Sequence, residues 1–127
     1  MLKSLYRRFN WLRDVNEPVK VKVSFELYLG SLHVGTLSRD DGEWTFEYSM
    51  VFRNQRQVKP IVDFPQLDRE YRSAELWPFF ALRIPSLTQA NVQQYLRSQG
   101  RTDADAADLM QEFGRRSIAN PFVLEPA

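Results

Sequence analysis

Hydrophobic and polar residues alternate strictly through the segment from Val19 to Leu29. Valine, phenylalanine and leucine occupy every second position, and lysine, serine, glutamate and tyrosine occupy the positions between them. A period of two is typical of a β-strand with one buried face. Gly30-Ser31 then suits a two-residue hairpin turn, which predicts a second strand over about Leu32 to Ser38. The run from Glu43 to Tyr48 places three aromatic residues on one face of a third strand, so the pattern predicts an antiparallel meander.

The middle of the chain is less regular. Residues 51–57 are largely polar and are predicted to form a loop. The segment from Pro60 to Pro65 is short, apolar and bracketed by prolines, which restricts it to an edge strand or an extended segment. Ser73 is expected to cap the helix that follows. Pro78 requires either that this helix begins late, with the proline in its first turn, or that it kinks.

Two further helices and a closing strand are predicted after that segment. A capping box from Ser86 to Gln89 opens the first helix, which Gly100 ends. The motif from Thr102 to Asp105 opens the second, which Gly114 ends. Phe122 to Leu124 returns as a strand to the sheet. The prediction is therefore an α+β fold, in which an antiparallel sheet (the three-stranded meander plus an edge strand and a closing strand) packs against two to three short helices.

Residues 1–18 predict an additional amphipathic helix ahead of this domain, which occupies residues 19–126. Five apolar residues fall at helical spacing, with basic residues on the other faces: Leu2, Leu5, Tyr6, Phe9 and Leu12. Asn16-Glu17-Pro18 ends the helix. This helix is expected either to pack on the protein's own sheet or to dock on a partner, on DNA or on a membrane surface. The membrane is the least favoured of these, because helices that bind membranes usually carry more charge or are longer.

Composition restricts the class of protein. A chain of 127 residues forms one domain, and its net charge of +1 implies no general attraction for nucleic acid. The absence of cysteine excludes disulfides and thiolate chemistry and fits a reducing cytoplasm. No apolar run approaches the roughly 20 residues that span a bilayer, and the first twenty residues lack the apolar stretch of a signal peptide. We therefore expect a cytoplasmic protein that does not interact with membranes.

The groups that catalysis or metal binding requires are missing from the sequence. His33 is the only histidine and has no cysteine to join it, so no metal site is expected. Acidic residues cluster at residues 40–43 and 103–108, where a turn and a helix N-terminus account for them. Neither a phosphate-binding glycine loop nor a kinase catalytic-loop motif occurs. We expect a protein that is not an enzyme and uses no cofactor.

The order of the predicted elements resembles the N-terminal subdomain of HipA-type serine/threonine kinase toxins, over about residues 19–126. The resemblance is carried by four stretches of turns and core positions: Val34 to Tyr48, Pro60 to Pro65, Ser73 to Pro85 and Asp108 to Ser117. In those kinases the subdomain precedes a catalytic body and lies against its N-lobe. In split systems it is encoded separately as HipS, beside a kinase core HipT and a DNA-binding HipB, and HipS binds and blocks the kinase. The resemblance implies a HipS-like antitoxin that inhibits a HipT-like kinase, with a HipB-like protein in the same complex.

The aromatic-proline segment is the candidate contact surface for that kinase. Leu76, Phe79 and Phe80 define one helix face, and Trp77 points about a quarter-turn away from it. Our candidate partner-binding residues are Trp77, Phe80, Arg83 and Ile84. Trp77 is the expected anchor, because tryptophan dominates binding hot spots. Two structural alternatives stay open: Trp77 packs under the loop from Gln66 to Arg72, or Arg83 caps the end of its helix.

Two other functions are consistent with the residues. The chain can be a structural subunit that completes a split kinase without inhibiting it. It can also be a small nucleic-acid-binding protein that uses its clustered arginines, Arg7, Arg8, Arg13, Arg115 and Arg116. The near-neutral net charge argues against this last function, because binding to a nucleic-acid backbone requires several phosphate contacts.

Overall fold

The computed structural model describes residues 22–127. This part of the chain forms five strands, β1 (Val23–Leu29), β2 (Leu32–Asp40), β3 (Glu43–Tyr48), β4 (Tyr71–Ser73) and β5 (Val123–Pro126). It also forms four helices, α1 (Met50–Arg53), α2 (Pro78–Ala81), α3 (Ala90–Ser98) and α4 (Ala106–Phe113). Helix α1 follows β3, helices α2 to α4 follow β4, and β5 ends the chain. The N-terminal helix predicted for residues 1–18, and the start of the first predicted strand, lie outside the described residues.

The five strands form one antiparallel sheet in the order β4-β3-β2-β1-β5. The α+β fold with a three-stranded meander is therefore confirmed. The closing strand is also confirmed, because β5 pairs with β1 through Leu124 opposite Leu27. The edge strand is β4, whereas the segment from Pro60 to Pro65 forms a loop with a turn in which the Phe64 N–H donates to the Ile61 carbonyl at 2.8 Å. The edge-strand option for that segment was wrong.

The hairpin between β1 and β2 has the predicted two-residue turn. Leu29 pairs with Leu32, and Gly30 adopts a φ of 60°, a left-handed conformation that glycine accepts at little cost. The register shifts between Leu27 and Tyr28, where β2 contains one extra residue. Such a bulge increases the local twist of the strands and re-aims the side chains beyond it.

The main core lies between one face of the sheet and the helices and loops that cover it. Its largest completely buried side chains are five phenylalanines. Phe25 and Phe46 come from β1 and β3, Phe52 and Phe80 from α1 and α2, and Phe64 from a loop. The rings of Phe46 and Phe64 lie 4.5 Å apart between centroids. Burying each such side chain contributes about 1.5–3 kcal/mol, so this aromatic cluster is a major source of stability.

A second, smaller core joins α3 to α4. Its buried members are Val92 and Leu96 from α3 and Leu109 from α4. Ile84 is partly buried and packs against both this cluster and the main core. The helical pair is attached to the body of the domain through Ile84 and through Ala107 and Met110 of α4, which lie in the main core.

The helix starts differ from the prediction in α2 and α3. Ser73 is the last residue of β4 rather than a helix cap, and α2 begins at Pro78 with Trp77 as its N-cap residue. The late start, with the proline in the first turn, was therefore the correct alternative. The predicted capping box from Ser86 to Gln89 was wrong, because α3 begins at Ala90 without a side-chain cap.

The N-cap of helix α4 lies three residues after the predicted one. Asp105 is its N-cap and forms a capping box with Asp108, whereas Thr102 lies in the preceding loop. Gly100 and Gly114 follow the ends of α3 and α4 as predicted, and Gly100 has a φ of 66°. The loop predicted for residues 51–57 instead begins inside α1, which Ser49 caps by accepting a hydrogen bond from the Phe52 N–H.

Candidate partner-binding surface

Two of the four candidate residues, Trp77 and Ile84, are partly exposed. The Trp77 ring packs edge-on against Phe64, with ring centroids 5.0 Å apart. Phe64 lies just ahead of the loop from Gln66 to Arg72, under which Trp77 packs in one of the predicted alternatives. Trp77 is therefore partly exposed and also contacts a buried residue next to that loop. Ile84 bridges the two cores. Both residues retain surface that a partner can touch.

The other two candidates, Phe80 and Arg83, are buried. The Phe80 side chain has 0% of its surface exposed and lies 5.5 Å from the Phe46 ring between centroids. Arg83 is 4% exposed. The expectation that these two side chains belong to a contact surface does not agree with their burial. They belong to the structure beneath that surface.

Arg83 is held in the interior by four hydrogen bonds. Its two terminal nitrogens donate to the carbonyls of Gly114, Arg115 and Phe122 and to Asn120 Oδ1, over 2.9–3.2 Å. Among the described residues, no carboxylate forms an ion pair with it. Burial lowers the pKa of Arg83 to about 10, so the guanidinium remains charged at neutral pH. Carbonyl dipoles, rather than a counter-ion, compensate this cation.

The position of Arg83 explains the shape of the segment after α4. Gly114 is the C-cap of α4, where the helix dipole presents partial negative charge to the guanidinium. Arg83 caps this distant helix rather than its own, and it also fixes Asn120 and Phe122 at the entrance to β5. Its partners lie 31 to 39 residues away in sequence, so no local sequence motif predicts these hydrogen bonds.

An apolar groove of about 390 Å³ opens beside α2. We call it the α2 groove; it is lined by residues 59–63 together with Pro78, Phe79, Leu82, Asn120 and Phe122. Two of its aliphatic side chains project into solvent, Val62 at 90% exposure and Leu82 at 68%. Clustered apolar exposure of this kind is typical of a binding site, whereas isolated exposed leucines are ordinary.

Hydrogen bonds of Tyr48 and Asp63 hold residues 59–63, which form one wall of the α2 groove, in place. Tyr48 Oη accepts from the Ile61 N–H at 2.9 Å and donates to the Phe64 carbonyl at 2.7 Å. Burial raises the pKa of Tyr48 to about 12, so the hydroxyl stays protonated and able to donate. Asp63 Oδ2 accepts from the Phe79 N–H at 3.1 Å and ties this wall to α2. The α2 groove is therefore formed before any partner arrives.

The α2 groove carries little charge, and its exposed ionic group is Lys59. Asp63 is engaged by the backbone of α2. Within the described residues, the Lys59 side chain has neither an ion pair nor a hydrogen bond to the protein. The rim of the α2 groove therefore presents a cation that is available to an anionic group on a partner.

The opposite face of the sheet is polar, and several of its charged side chains form pairs. His33 lies in β2 with its Nε2 2.6 Å from Glu26 Oε1, which also accepts from the Thr36 hydroxyl. Arg53 and Glu47 form another pair at 3.2 Å.

Residues 22–127 contain no group of three or more potential metal ligands. None of the helices described in that range is long and apolar enough to cross a bilayer.

The family model for the HipA N-terminal domain matches residues 25–119, which is well over half of the chain. This chain belongs to the HipA N-terminal domain family. The match runs from β1 to the loop after α4, so it includes α2 and two of the three segments that line the α2 groove. No curated protein matches the chain. The HipA N-terminal domain is thus identified by its family match.

Proposed function

We propose that this HipA N-terminal domain is an antitoxin-type subunit that docks on and inhibits a HipT-like or HipA-like serine/threonine kinase. Membership of the HipA N-terminal domain family is the observation that carries the proposal, because it associates the chain with HipA-like proteins. A HipB-like DNA-binding protein is the proposed third member of the complex. The compartment in which we place this complex is the cytoplasm.

The proposed action is binding rather than catalysis. Phosphoryl transfer requires groups that hold magnesium, cradle phosphates and orient the nucleophile. These 127 residues contain no motif for any of those tasks. What the described residues offer is an apolar groove with a partly exposed tryptophan on the residue before α2. We therefore propose that the protein acts by occupying a surface of the kinase.

The proposed contact surface combines Trp77 and Ile84 with the α2 groove. Trp77 is the N-cap residue of α2 and directly precedes Pro78, which lines the α2 groove. Tryptophan beside a rigid proline loses little conformational freedom on binding, which favours an anchoring role. In this proposal Phe80 and Arg83 act from beneath, by holding α2 and the segment from Gly114 to Phe122 in place.

The test uses a HipA-like kinase from the same genome, co-purified with the wild-type chain and assayed for autophosphorylation. We expect a stable complex and a large loss of kinase activity, and we expect Trp77→Ala to restore activity. Met50→Ala is the matched control, because Met50 is 65% exposed and does not line the α2 groove. Thermal denaturation must show that the Trp77 variant is folded, since its ring also packs on Phe64.

Three outcomes separate the alternatives. Failure of the wild-type chain to bind the kinase would remove the proposal. Binding with unchanged or increased autophosphorylation would identify the chain as a structural subunit that completes a split kinase. Inhibition that persists in Trp77→Ala would leave the antitoxin function standing and show that the anchor lies elsewhere.

A further inference from the structure

We infer that the α2 groove receives an amphipathic segment of the partner kinase, with a bulky apolar side chain in the groove and a neighbouring carboxylate on Lys59. This inference rests on the proposed function, since it takes the kinase as the occupant. It adds what the proposal leaves open, namely which chemical pattern on the kinase is recognised and which residues outside the aromatic-proline segment recognise it.

The apolar part of the inference comes from the size and lining of the α2 groove. Its volume of about 390 Å³ lies within the range of known ligand-binding pockets. Val62 and Leu82 are exposed, while Phe79 and Phe122 form half-buried walls. One leucine, methionine or phenylalanine side chain entering this space would remove part of the apolar surface of these residues from water. That burial is the main favourable contribution to binding.

The charged part of the inference comes from Lys59. Its ammonium group is exposed at the groove and unpaired within the described residues, whereas Asp63 is engaged by the Phe79 N–H. The third charge nearby, on Arg83, is buried, and its two terminal nitrogens donate to carbonyls and an amide oxygen. An arriving carboxylate therefore meets one exposed cation, whereas the carboxylate of Asp63 is partly buried and directed at the backbone of α2. Complementary charge at a rim mainly increases the rate and selectivity of association.

The architecture of the walls shows how the segment binds. The α2 groove is bounded by a loop, by α2 and by the approach to β5, and none of the sheet's edge strands lines it. Two of the lining residues, Pro60 and Pro78, have no N–H to donate. Recognition by addition of a strand needs a row of free backbone groups, so it does not suit this site. The occupant is held through its side chains, as an amphipathic helix in a groove is.

The experiment measures the affinity of the full chain for a catalytically inactive form of the same-genome HipA-like kinase. We expect Leu82→Ser to weaken binding at least tenfold and Lys59→Glu at least fivefold at low ionic strength. The effect of Lys59→Glu should shrink as salt is added, because an exposed pair is screened. Val51→Ser, at a 58% exposed residue of α1, and Arg97→Glu, in the exposed last turn of α3, are matched controls and should stay within twofold of wild type.

A photo-crosslinking residue at position 82 identifies the occupant. We expect it to capture a kinase peptide that contains a bulky apolar residue and an aspartate or glutamate within one helical turn. Changing that acid to lysine should then restore binding to Lys59→Glu.

The outcomes distinguish this inference from the proposed function. No affinity of the wild-type chain for the kinase overturns both. Wild-type binding that Leu82→Ser and Lys59→Glu leave unchanged overturns the inference alone. A crosslink to a second copy of this chain, or to a kinase segment without a carboxylate, also overturns it.

Discussion

Replacing Arg83 by methionine tests how this fold retains a cation in its interior. Methionine keeps the length and most of the volume of the side chain but donates no hydrogen bond. The substitution removes the Arg83 donor from the carbonyls of Gly114, Arg115 and Phe122 and from Asn120 Oδ1. The Arg115 carbonyl still accepts from the Leu124 N–H, and Asn120 Oδ1 still accepts from the Phe122 N–H. Helix α4 would lose the guanidinium at its C-terminus, and the approach to β5 would lose its attachment to the chain after α2.

The magnitude follows from two opposing contributions. A hydrogen bond that involves a charged group contributes about 1.5–3 kcal/mol, so four of them contribute roughly 6–12 kcal/mol in total. Desolvation of the guanidinium costs several kcal/mol, and its buried Nε has no partner among the described residues. The lowered pKa of Arg83 reflects the same desolvation. The difference leaves a net destabilisation of about 3–5 kcal/mol for Arg83→Met.

Urea denaturation followed by circular dichroism measures this free energy directly. A loss of this size lowers the melting temperature of a domain this small by roughly 10–20 °C or more. Arg72→Met is the control, because Arg72 forms ion pairs with Glu43 and Glu70 but its side chain is 57% exposed. Exposed pairs contribute little, because solvent screens them. An Arg83→Met protein within about 0.5 kcal/mol of wild type would refute the reasoning, since desolvation would then cancel the hydrogen bonds.

Three further substitutions test other parts of the fold by the same denaturation assay. Tyr48→Phe should cost about 1–3 kcal/mol at neutral pH, because it leaves buried backbone groups unpaired. The pKa of this phenol rises from 10 to about 12 on folding, so the wild type loses its contribution as pH passes through that range, and the gap between the two proteins narrows. Asp105→Ala should cost about 0.5–2 kcal/mol, whereas Thr102→Ala should cost almost nothing; equal losses would contradict the capping assignment. Gly35→Ala should cost about 1–3 kcal/mol, because its Cβ would lie 2.5 Å from the Glu47 carbonyl oxygen, and a neutral result would show that the strands can separate there.

The strands could be predicted from the sequence because each of them presents one face to the core. The alternation around Phe25 and Leu27 persists in β1, where both residues are buried and their neighbours are half-exposed. β2 extends two residues beyond its predicted end, because Asp40 pairs with Glu43 across a tight turn. An alternating pattern shows which side chains are buried, and in a strand the buried side chains all lie on the same face.

Helix starts were harder to predict because several residues compete to cap them. Ser86 forms a local turn in which its hydroxyl accepts from the Thr88 N–H, so it is engaged before α3 begins. Thr102 matches the capping pattern as well as Asp105 does, yet only Asp105 is met by a reciprocal partner, Asp108. Burial alone would raise the pKa of Asp108, but hydrogen bonds from Arg101 and from the Asp105 backbone outweigh it, and the pKa is lowered.

The candidate site was only partly predictable because its helix is too short for arguments based on helix faces. Helix α2 has four residues, so a stripe of apolar positions does not define which side is outside. The sheet covers Phe80 on one side, and the segment from Gly114 to Phe122 covers Arg83 on the other. Trp77 and Leu82, which flank the helix, keep exposed surface instead. Those contacts are long-range, and no spacing within α2 contains them.

The buried arginine and the exposed groove are parts of one arrangement. Arg83 directs its donors to Asn120 and Phe122, and these two residues form one wall of the α2 groove. A surface built only from loops would have to be ordered when a partner binds, at a cost in conformational entropy. Here the wall is ordered during folding, because the buried Arg83 cation is stabilised only when Asn120 and Phe122 accept its hydrogen bonds. The same burial that removes Arg83 from the surface thereby keeps Leu82 and Phe122 in position beside the α2 groove.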